Sequence, residues 1–413
     1  MIKSLLIIYP HWPPSNLTGV HRPRLVANNI KEFGYNPVIL TVSPEYYEET
    51  PDWSLESTVN KDIEVIHVKA FNVTRPRLIG DIGLRAFFQL WRKSKSLLRD
   101  RSIDFIWIPI PSFYVSILGR LLHEQFKVPY GIDYIDPWLR DISSRRNLRN
   151  VVSNWFARYL EPFAVRKAAL ITGVAPGYFE PVLHRYFRHH PPKSLSFPYG
   201  FDQRDYNSIP EDIPLPWEKG KKAIVYAGAF LPNSQLFLSI LFNIVSQMRS
   251  EGKWPEQFHF YFVGTGYYGN ETVRKRAAEY DLDDVVTEIP ARYPYLSILK
   301  FLSNAHAVLI LGSTELHYTP SKVFQSIFSK RPILSVLHNQ SSAVEILRRA
   351  KCENLLVTYN PGMDKKLEGD MKKALFLLIS DDHDHAPKLA ALDEYSAKHN
   401  AQCLAKSISE IIV

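Results

Sequence analysis

Short runs of consecutive apolar residues recur along the chain, separated by longer stretches in which apolar positions return at helical spacing. In the first half the runs are Leu5–Tyr9, Pro37–Thr41, Ile63–Val68, Phe105–Ile108, Tyr130–Tyr134, Leu170–Gly173 and Leu195–Pro198. In the second half they are Ala223–Gly228, Phe258–Gly264, Val285–Ile289, Ala307–Leu311, Ile333–Leu337 and Asn354–Thr358. A continuous apolar run is what a parallel strand needs when helices cover both of its faces. The intervals leave room for crossover helices, so the pattern predicts an α/β protein. One helix is expected from about Pro23 to Phe33, closed by Gly34 as its C′ residue. Another is expected from Pro320 to about Phe328, stopped by Arg331-Pro332.

The pattern breaks at Ser208-Ile209-Pro210-Glu211-Asp212-Ile213-Pro214-Leu215-Pro216, which is proline-rich and reads as a linker. It separates halves of similar length and strand count, each of which reads as a doubly wound, Rossmann-like sheet. The expected organisation is an N-terminal domain over 1–206, a linker over 207–221, a second domain over 222–387 and a C-terminal helical segment over 388–413. In doubly wound sheets ligands bind beyond the carboxyl ends of the strands, so two such domains are expected to face each other across a cleft.

Bulk properties narrow the class. With 413 residues, 46% hydrophobic and 22% charged, the chain fits a two-domain globular protein. It has no run of eighteen apolar residues, so no transmembrane helix is expected, and the N-terminal apolar run is too short for a signal peptide. Two cysteines cannot supply a disulfide framework, which points to a cytoplasmic location. The net charge of +8 is compatible with nucleic acid, anionic lipid or phosphorylated ligands. Zinc-ligand spacing, helix-turn-helix patterns and single-strand-binding aromatic signatures are absent, so no nucleic-acid partner is expected.

Two strand ends carry candidate chemistry. After Ala307–Leu311 comes Tyr318-Thr319-Pro320-Ser321-Lys322-Val323-Phe324-Gln325. A strand, a loop and a helix N-terminus direct free N–H groups and the positive dipole end at an anion, and Lys322 adds a full charge. The reading is a nucleotide-diphosphate site; the alternative is an ordinary βαβ unit with a solvated lysine. After the first strand comes the rigid loop Pro10–Pro23. In it Gly19 permits close backbone approach or positive φ, and Arg22 can meet a phosphate or carboxylate bidentately.

These motifs, taken in order, resemble a retaining glycosyltransferase of the GT-B fold, in the broad family-four group. The matching segments are Gly19-Val20-His21-Arg22-Pro23, Ile132-Asp133-Tyr134-Ile135-Asp136-Pro137-Trp138, Leu160-Glu161 to Ala175-Pro176-Gly177, Pro198-Tyr199-Gly200-Phe201-Asp202, Tyr226-Ala227-Gly228, and Tyr318 to Gln325 with Arg331-Pro332. The resemblance implies transfer of a sugar from a nucleotide sugar, most readily a UDP- or GDP-sugar, to a glycan or lipid-linked acceptor. Anomeric configuration would be retained, with neither a metal nor an obligatory cofactor. It assigns the donor diphosphate to Gly19, Arg22, Gly228, Tyr318, Thr319, Pro320, Ser321 and Lys322, and the nucleoside to Arg292 and Gln325. Asp136 takes the place beside the reacting sugar, with Asp133 and Asp141 as lesser candidates; the alternative for Asp136 is a loop-bracing carboxylate. The C-terminal helix would cross back to the first domain. Departures are His317 and Gln325 where the group commonly has two glutamates, Ala229-Phe230 where a basic residue is common, and Tyr199 before Gly200. They keep open a non-catalytic sugar-nucleotide or glycan-binding homologue.

Acceptor recognition would fall to the first domain. Over 83–99, Leu84, Phe87, Phe88 and Trp91 stand at helical spacing among Arg85, Arg92, Lys93, Lys95 and Arg99. A second basic and aromatic segment, 145–167, contains Trp155, Phe156 and Arg158. Such helices can lie on an anionic membrane, here the inner face of the cytoplasmic membrane, in the service of cell-surface polysaccharide synthesis. The alternative is an apolar stripe packed on the sheet with a solvated basic face. Asp381-Asp382-His383-Asp384-His385 reads as a solvated loop, since consecutive residues cannot converge on one ion.

Overall fold

The computed structural model describes residues 2–74, 81–139, 148–230, 232–266, 272–314, 322–380 and 387–412. His317, Tyr318, Thr319, Pro320, Ser321, Asp141, Arg145, Arg146 and the Asp381–His385 run therefore lie outside the described residues. The chain divides into two compact units, one of Met1–Asp202 with Glu394–Val413, the other of Gln203–Asp393.

The first unit runs β1 (Lys3–Ile8), α1 (His21–Ile30), β2 (Tyr35–Val42), β3 (Glu64–Val68), α2 (Ile82–Arg85), α3 (Phe87–Asp100), β4 (Phe105–Ile110), α4 (Ser116–Phe126), β5 (Tyr130–Tyr134), α5 (Leu148–Val165), β6 (Leu170–Gly173), α6 (Pro176–Tyr186) and β7 (Lys193–Ser196). Its sheet has seven strands in the order β3-β2-β1-β4-β5-β6-β7, all parallel. Leu5 to Ile8 are all fully buried, as strands covered on both faces require. Leu6 and Ile8 join the core beneath α3 and α4, while Leu5 and Ile7 join the opposite core with Val26, Ala27 and Ile30 of α1. Gly34 ends the α1 segment with φ 85°, the left-handed value that favours glycine.

The second unit runs α7 (Gln203–Asn207), β8 (Lys222–Ala227), α8 (Gln235–Ser250), β9 (Phe258–Val263), α9 (Val273–Ala278), β10 (Val286–Ile289), α10 (Tyr295–Asn304), β11 (Ala307–Leu311), α11 (Lys322–Phe328), β12 (Ile333–His338), α12 (Ser342–Arg349), β13 (Leu356–Tyr359) and α13 (Asp364–Ile379). Its six parallel strands are ordered β10-β9-β8-β11-β12-β13. The proline-rich stretch is not a bare tether: Ile213, Leu215 and Trp217 pack on the core of this unit, Trp217 against the rings of Tyr261 and Phe301. The last helix, α14 (Ala397–Ser409), belongs to the first unit, where Ala401, Leu404, Ala405 and Ile408 fill the core beside α1.

In each sheet the strand order reverses once, at β1/β4 and at β8/β11. Crossover chains leave to opposite sides there, opening a crevice beyond the carboxyl ends of those strands.

Candidate functional site

Each switch point carries a cluster of polar groups. In the first unit, Tyr9 and His11 follow β1, Glu48 and Glu49 follow β2, and Pro111 and Ser112 follow β4. With Gly19, Asp81 and the α2 residues Ile82 and Arg85 they line a cavity of about 370 Å³, within the size range of small-molecule sites. Gly19 has ordinary backbone geometry. What requires a glycine there is contact, because a Cβ would stand 2.4 Å from the Tyr9 hydroxyl oxygen.

His11 and Glu49 form an ion pair, Nδ1 to Oε1 at 3.0 Å, and the Ser15 hydroxyl donates to the same oxygen. Burial raises the Glu49 pKa, but the hydrogen bonds from His11 and Ser15 and the charge of His11 outweigh it and hold the carboxyl at about 2. Asp81 caps α2 by accepting the Leu84 N–H at 2.7 Å. Burial nevertheless pushes its pKa up, against that bond, the nearby charges of His11 and Arg85 and a bond from Ser112.

Asp136 follows β5 in a turn and is half-buried. Its charge helps raise the pKa of both Tyr9 and Tyr199, after burial, which is the main cause for each. Asp136 and the two phenols thus form one electrostatic group. Asp133, three residues earlier on β5, is fully buried and bonded within the protein. It accepts from Arg22 Nε at 2.5 Å, Arg22 Nη2 at 2.7 Å and the Thr172 hydroxyl at 2.5 Å.

Arg22, expected at the donor diphosphate, is committed inside the protein instead. The guanidinium is 1% exposed, forked onto Asp133, bonded through Nη1 to the Phe197 and Pro198 carbonyls at 2.6 and 3.2 Å, and stacked 3.9 Å from the Phe197 ring centroid. A fork fully engaged inside the protein cannot also grip a diphosphate; Arg22 ties α1 to β5 and to the segment after β7. Arg85, whose spacing places it on a basic face turned either to an anionic membrane or to solvent, is instead 3% exposed and bonds the Phe71 and Tyr46 carbonyls.

In the second unit, Gly228 follows β8 with φ 113° and Gly264 follows β9 with φ 73°. A Cβ on Gly264 would lie 3.9 Å from Gly228, so the two turns are neighbours. The Gly228 N–H is committed to the Val263 carbonyl at 2.8 Å. What Gly228 offers a ligand is therefore open space where a side chain would stand, not a free donor. Lys322 opens α11, and its ammonium lies 3.5 Å from the centroid of the Tyr226 ring, two residues before Gly228. The residue keeps partial exposure, yet burial of the ammonium lowers its pKa from 10.5 to about 7. An aromatic face is a weak counter-charge. Gln325 is half-buried on α11, and its backbone carbonyl accepts the Tyr206 hydroxyl at 2.7 Å. Arg292 is exposed on the loop after β10.

Tyr9, His11, Glu49 and Asp81 carry no local sequence signal of a site: they come from segments far apart in the chain, and no local motif joins them. The signal that could have found them is the rule that ligands gather where strand order reverses, applied to the residues just past β1, β2 and β4.

Solved structures share this architecture. The chain is similar to Anabaena HepE in complex with UDP, with TM-score 0.60 and 13% identity over 99% of this chain and all of that one. It is similar to trehalose-6-phosphate synthase OtsA, with TM-score 0.63 and 12% identity over 99% of both chains. It also resembles sucrose-phosphate synthase from Thermosynechococcus elongatus, with TM-score 0.57 and 14% identity over 99% of this chain and 94% of that one. No protein-family model and no curated protein matches the sequence. At such identities the likeness establishes the fold, and on that ground the chain is a two-unit α/β protein of the GT-B architecture.

Proposed function

We propose that this protein is a glycosyltransferase that moves a sugar from a UDP- or GDP-sugar to a glycan or lipid-linked acceptor, with retention of configuration and without a metal. The observation that carries the reading is Lys322. Its partly desolvated ammonium lies over Tyr226 beside the open turn at Gly228, at the switch point of a sheet whose fold is shared with the UDP complex of HepE and with two sugar-phosphate synthases. Loss of a nucleoside diphosphate builds negative charge on the leaving oxygen. A preorganised cation in a water-poor site stabilises that charge more in the transition state than in the ground state. Lys322 supplies it, with Tyr318, Thr319, Pro320 and Ser321 as further donor contacts and Gln325 and Arg292 toward the nucleoside. Asp136 stands beside the reacting sugar, where its carboxylate orients a hydroxyl.

The acceptor belongs to the first unit, and α5 supports a membrane setting for it. Ala157, Glu161, Ala164 and Val165 of this helix are buried, while Val151, Val152, Trp155, Phe156, Tyr159 and Phe163 are exposed along another face. A helix apolar on both faces needs a second apolar environment. The interleaved aromatics and the adjacent Arg158, Arg166 and Lys167 suit the headgroup level of an anionic leaflet. Among the described residues no helix is long and apolar enough to cross a membrane. By contrast, α3 buries Leu90 and Leu97 against the sheet and leaves Phe88 exposed, so α5 is the stronger docking face. The setting fits cell-surface polysaccharide assembly on the cytoplasmic side.

The test is release of nucleoside diphosphate from a panel of UDP- and GDP-sugars in the presence of membrane extract. Asp136→Asn is expected to lose at least about a hundredfold in turnover, the scale of one well-placed polar group, while still binding nucleotide. Near-normal turnover would remove Asp136 from the mechanism. Nucleotide binding with no release from any donor would favour the non-catalytic homologue that Gln325 suggests.

A further inference from the structure

We propose that Glu288 is a positioning residue for the nucleoside end of the donor: acting through Thr265, it fixes the turn after β9 and thereby the spacing of the loops that leave β8 and β10. This rests on the glycosyltransferase reading and deepens it, because it makes base selectivity depend on a side chain engaged inside the protein. The loops after β8, β9 and β10 are neighbours, since the strands are adjacent in the sheet. Backbone bonds join them in order. The Phe230 N–H, two residues past Gly228, donates to the Thr265 carbonyl at 3.0 Å. On the other side the Gly264 and Gly266 N–H groups donate to the carbonyls of Ile289 and Pro290 at 2.8 and 3.1 Å. Arg292 follows two residues later.

Thr265 stands in the middle of this ladder and is buried. Its carbonyl holds the β8 loop, and its hydroxyl donates to Glu288 Oε1 at 2.7 Å. The residues on either side of it are glycines, the type with the freest backbone. Thr265 is therefore the one side chain that anchors the turn, and Glu288 is what it is anchored to. The second carboxylate oxygen of Glu288 accepts the Arg274 N–H at 2.8 Å, at the second residue of α9. The first N–H groups of a helix have no partner within it, and the Thr272 hydroxyl serves Lys275, so Glu288 supplies the cap for Arg274. One half-buried carboxylate on β10 thus ties the β9 turn to α9 as well as to its own strand. Groups that contact a ligand keep their geometry only when the residues behind them are themselves held. Freed from Glu288, the turn after β9 keeps its backbone bonds but loses the side-chain anchor that sets where they lie.

The experiment titrates the full chain with UDP, GDP and ADP by calorimetry and follows its melting in parallel. Glu288→Met keeps the side-chain length but accepts no hydrogen bond from Thr265 or Arg274, and Thr265→Val removes only the hydroxyl. Each is expected to weaken the tightest nucleotide about fivefold, part of the tenfold or more that one hydrogen bond to a charged group sustains. The weakest nucleotide should change less than about twofold, so base selectivity narrows; a general loss of structure would lower all three alike. Glu288→Gln should recover most of the loss, because its amide oxygen accepts from Arg274 while its NH₂ donates to the Thr265 hydroxyl. The double variant should bind no more weakly than Glu288→Met alone, as expected of two groups acting through one bond. Unchanged selectivity in Glu288→Met would overturn the proposal, as would an equal loss for all three nucleotides. So would Glu288→Gln as weak as Glu288→Met, an additive double variant, or a wild-type protein that binds the three nucleotides equally. Wild-type protein that binds no nucleotide at all would instead sink the glycosyltransferase reading, before any variant is measured.

Discussion

Replacing Arg22 by methionine separates two roles that the sequence alone left mixed, anion ligand and internal clamp. The guanidinium and the Asp133 carboxylate are 1% and 0% exposed and meet at 2.5 and 2.7 Å. Methionine keeps much of the side-chain volume over Phe197 but leaves Asp133 with the Thr172 hydroxyl as its remaining donor of the three. Removing one partner of a buried pair typically costs about 3–5 kcal/mol, because the other charge stays desolvated. For a unit of this size each kcal/mol moves the midpoint by about 2–4 °C. The first unit should therefore melt roughly 6–20 °C lower, as a shift of one transition in differential scanning calorimetry at pH 7. Adding Asp133→Leu removes the orphaned charge and should recover most of the loss, since a buried pair exchanged for apolar residues is often close to neutral. UDP affinity, measured below the lowered midpoint, should remain within about twofold of wild type. An unchanged melting profile together with a clear loss of UDP affinity would refute the clamp and restore Arg22 as a diphosphate ligand. A double variant no more stable than Arg22→Met would show that the ion pair is not the source of the cost.

Two further predictions follow from the same geometry. Burial holds the Lys322 ammonium at about 7, below its ordinary value, so the free protein loses this proton near neutrality. A bound diphosphate favours the charged form, and nucleotide-sugar binding therefore takes up a proton above pH 7. Affinity should fall about fifteenfold from pH 7 to pH 8.5, as read by titration calorimetry; Lys322→Met should flatten that profile, and a wild-type profile that is already flat would remove Lys322 from the site. The sign for stability is the reverse of a salt bridge: the lowered pKa penalises the folded state fully below about 7, and the penalty is lifted as pH rises toward the unfolded value. On α5, Trp155→Glu should abolish flotation with anionic liposomes at low salt without lowering the melting temperature, because Trp155 is 54% exposed. Flotation that survives this change, or wild-type protein that never floats, would sink the membrane docking face.

The sequence by itself determined the secondary structure and the fold class to an unusual depth. Every strand named from an apolar run is present, with ends displaced by at most about two residues, because a parallel strand covered on both faces must be apolar throughout and so stands out without any alignment. Gly34 announced its helix end for an equally local reason, since the left-handed turn needs the residue type that tolerates it. The proline-rich stretch was read less well. Its prolines mask Ile213, Leu215 and Trp217, whose place is decided by the core of the second unit.

Only the tertiary structure decided what the charged residues do. Arg22 and Asp133 are far apart in the chain, and nothing near either one says that the other will consume its hydrogen bonds. Arg85 ends the short helix α2, just ahead of the basic residues of α3, and is buried all the same. Lys322 owes its lowered pKa to burial that exists only in the folded unit, and His11, Glu49 and Asp81 become one cavity wall only because the sheet order reverses at β1. Apolar periodicity is a property of neighbours in sequence, and it survives in the text of the chain. Electrostatic role depends on burial and on partners brought from elsewhere, and it exists only once the sheets have formed.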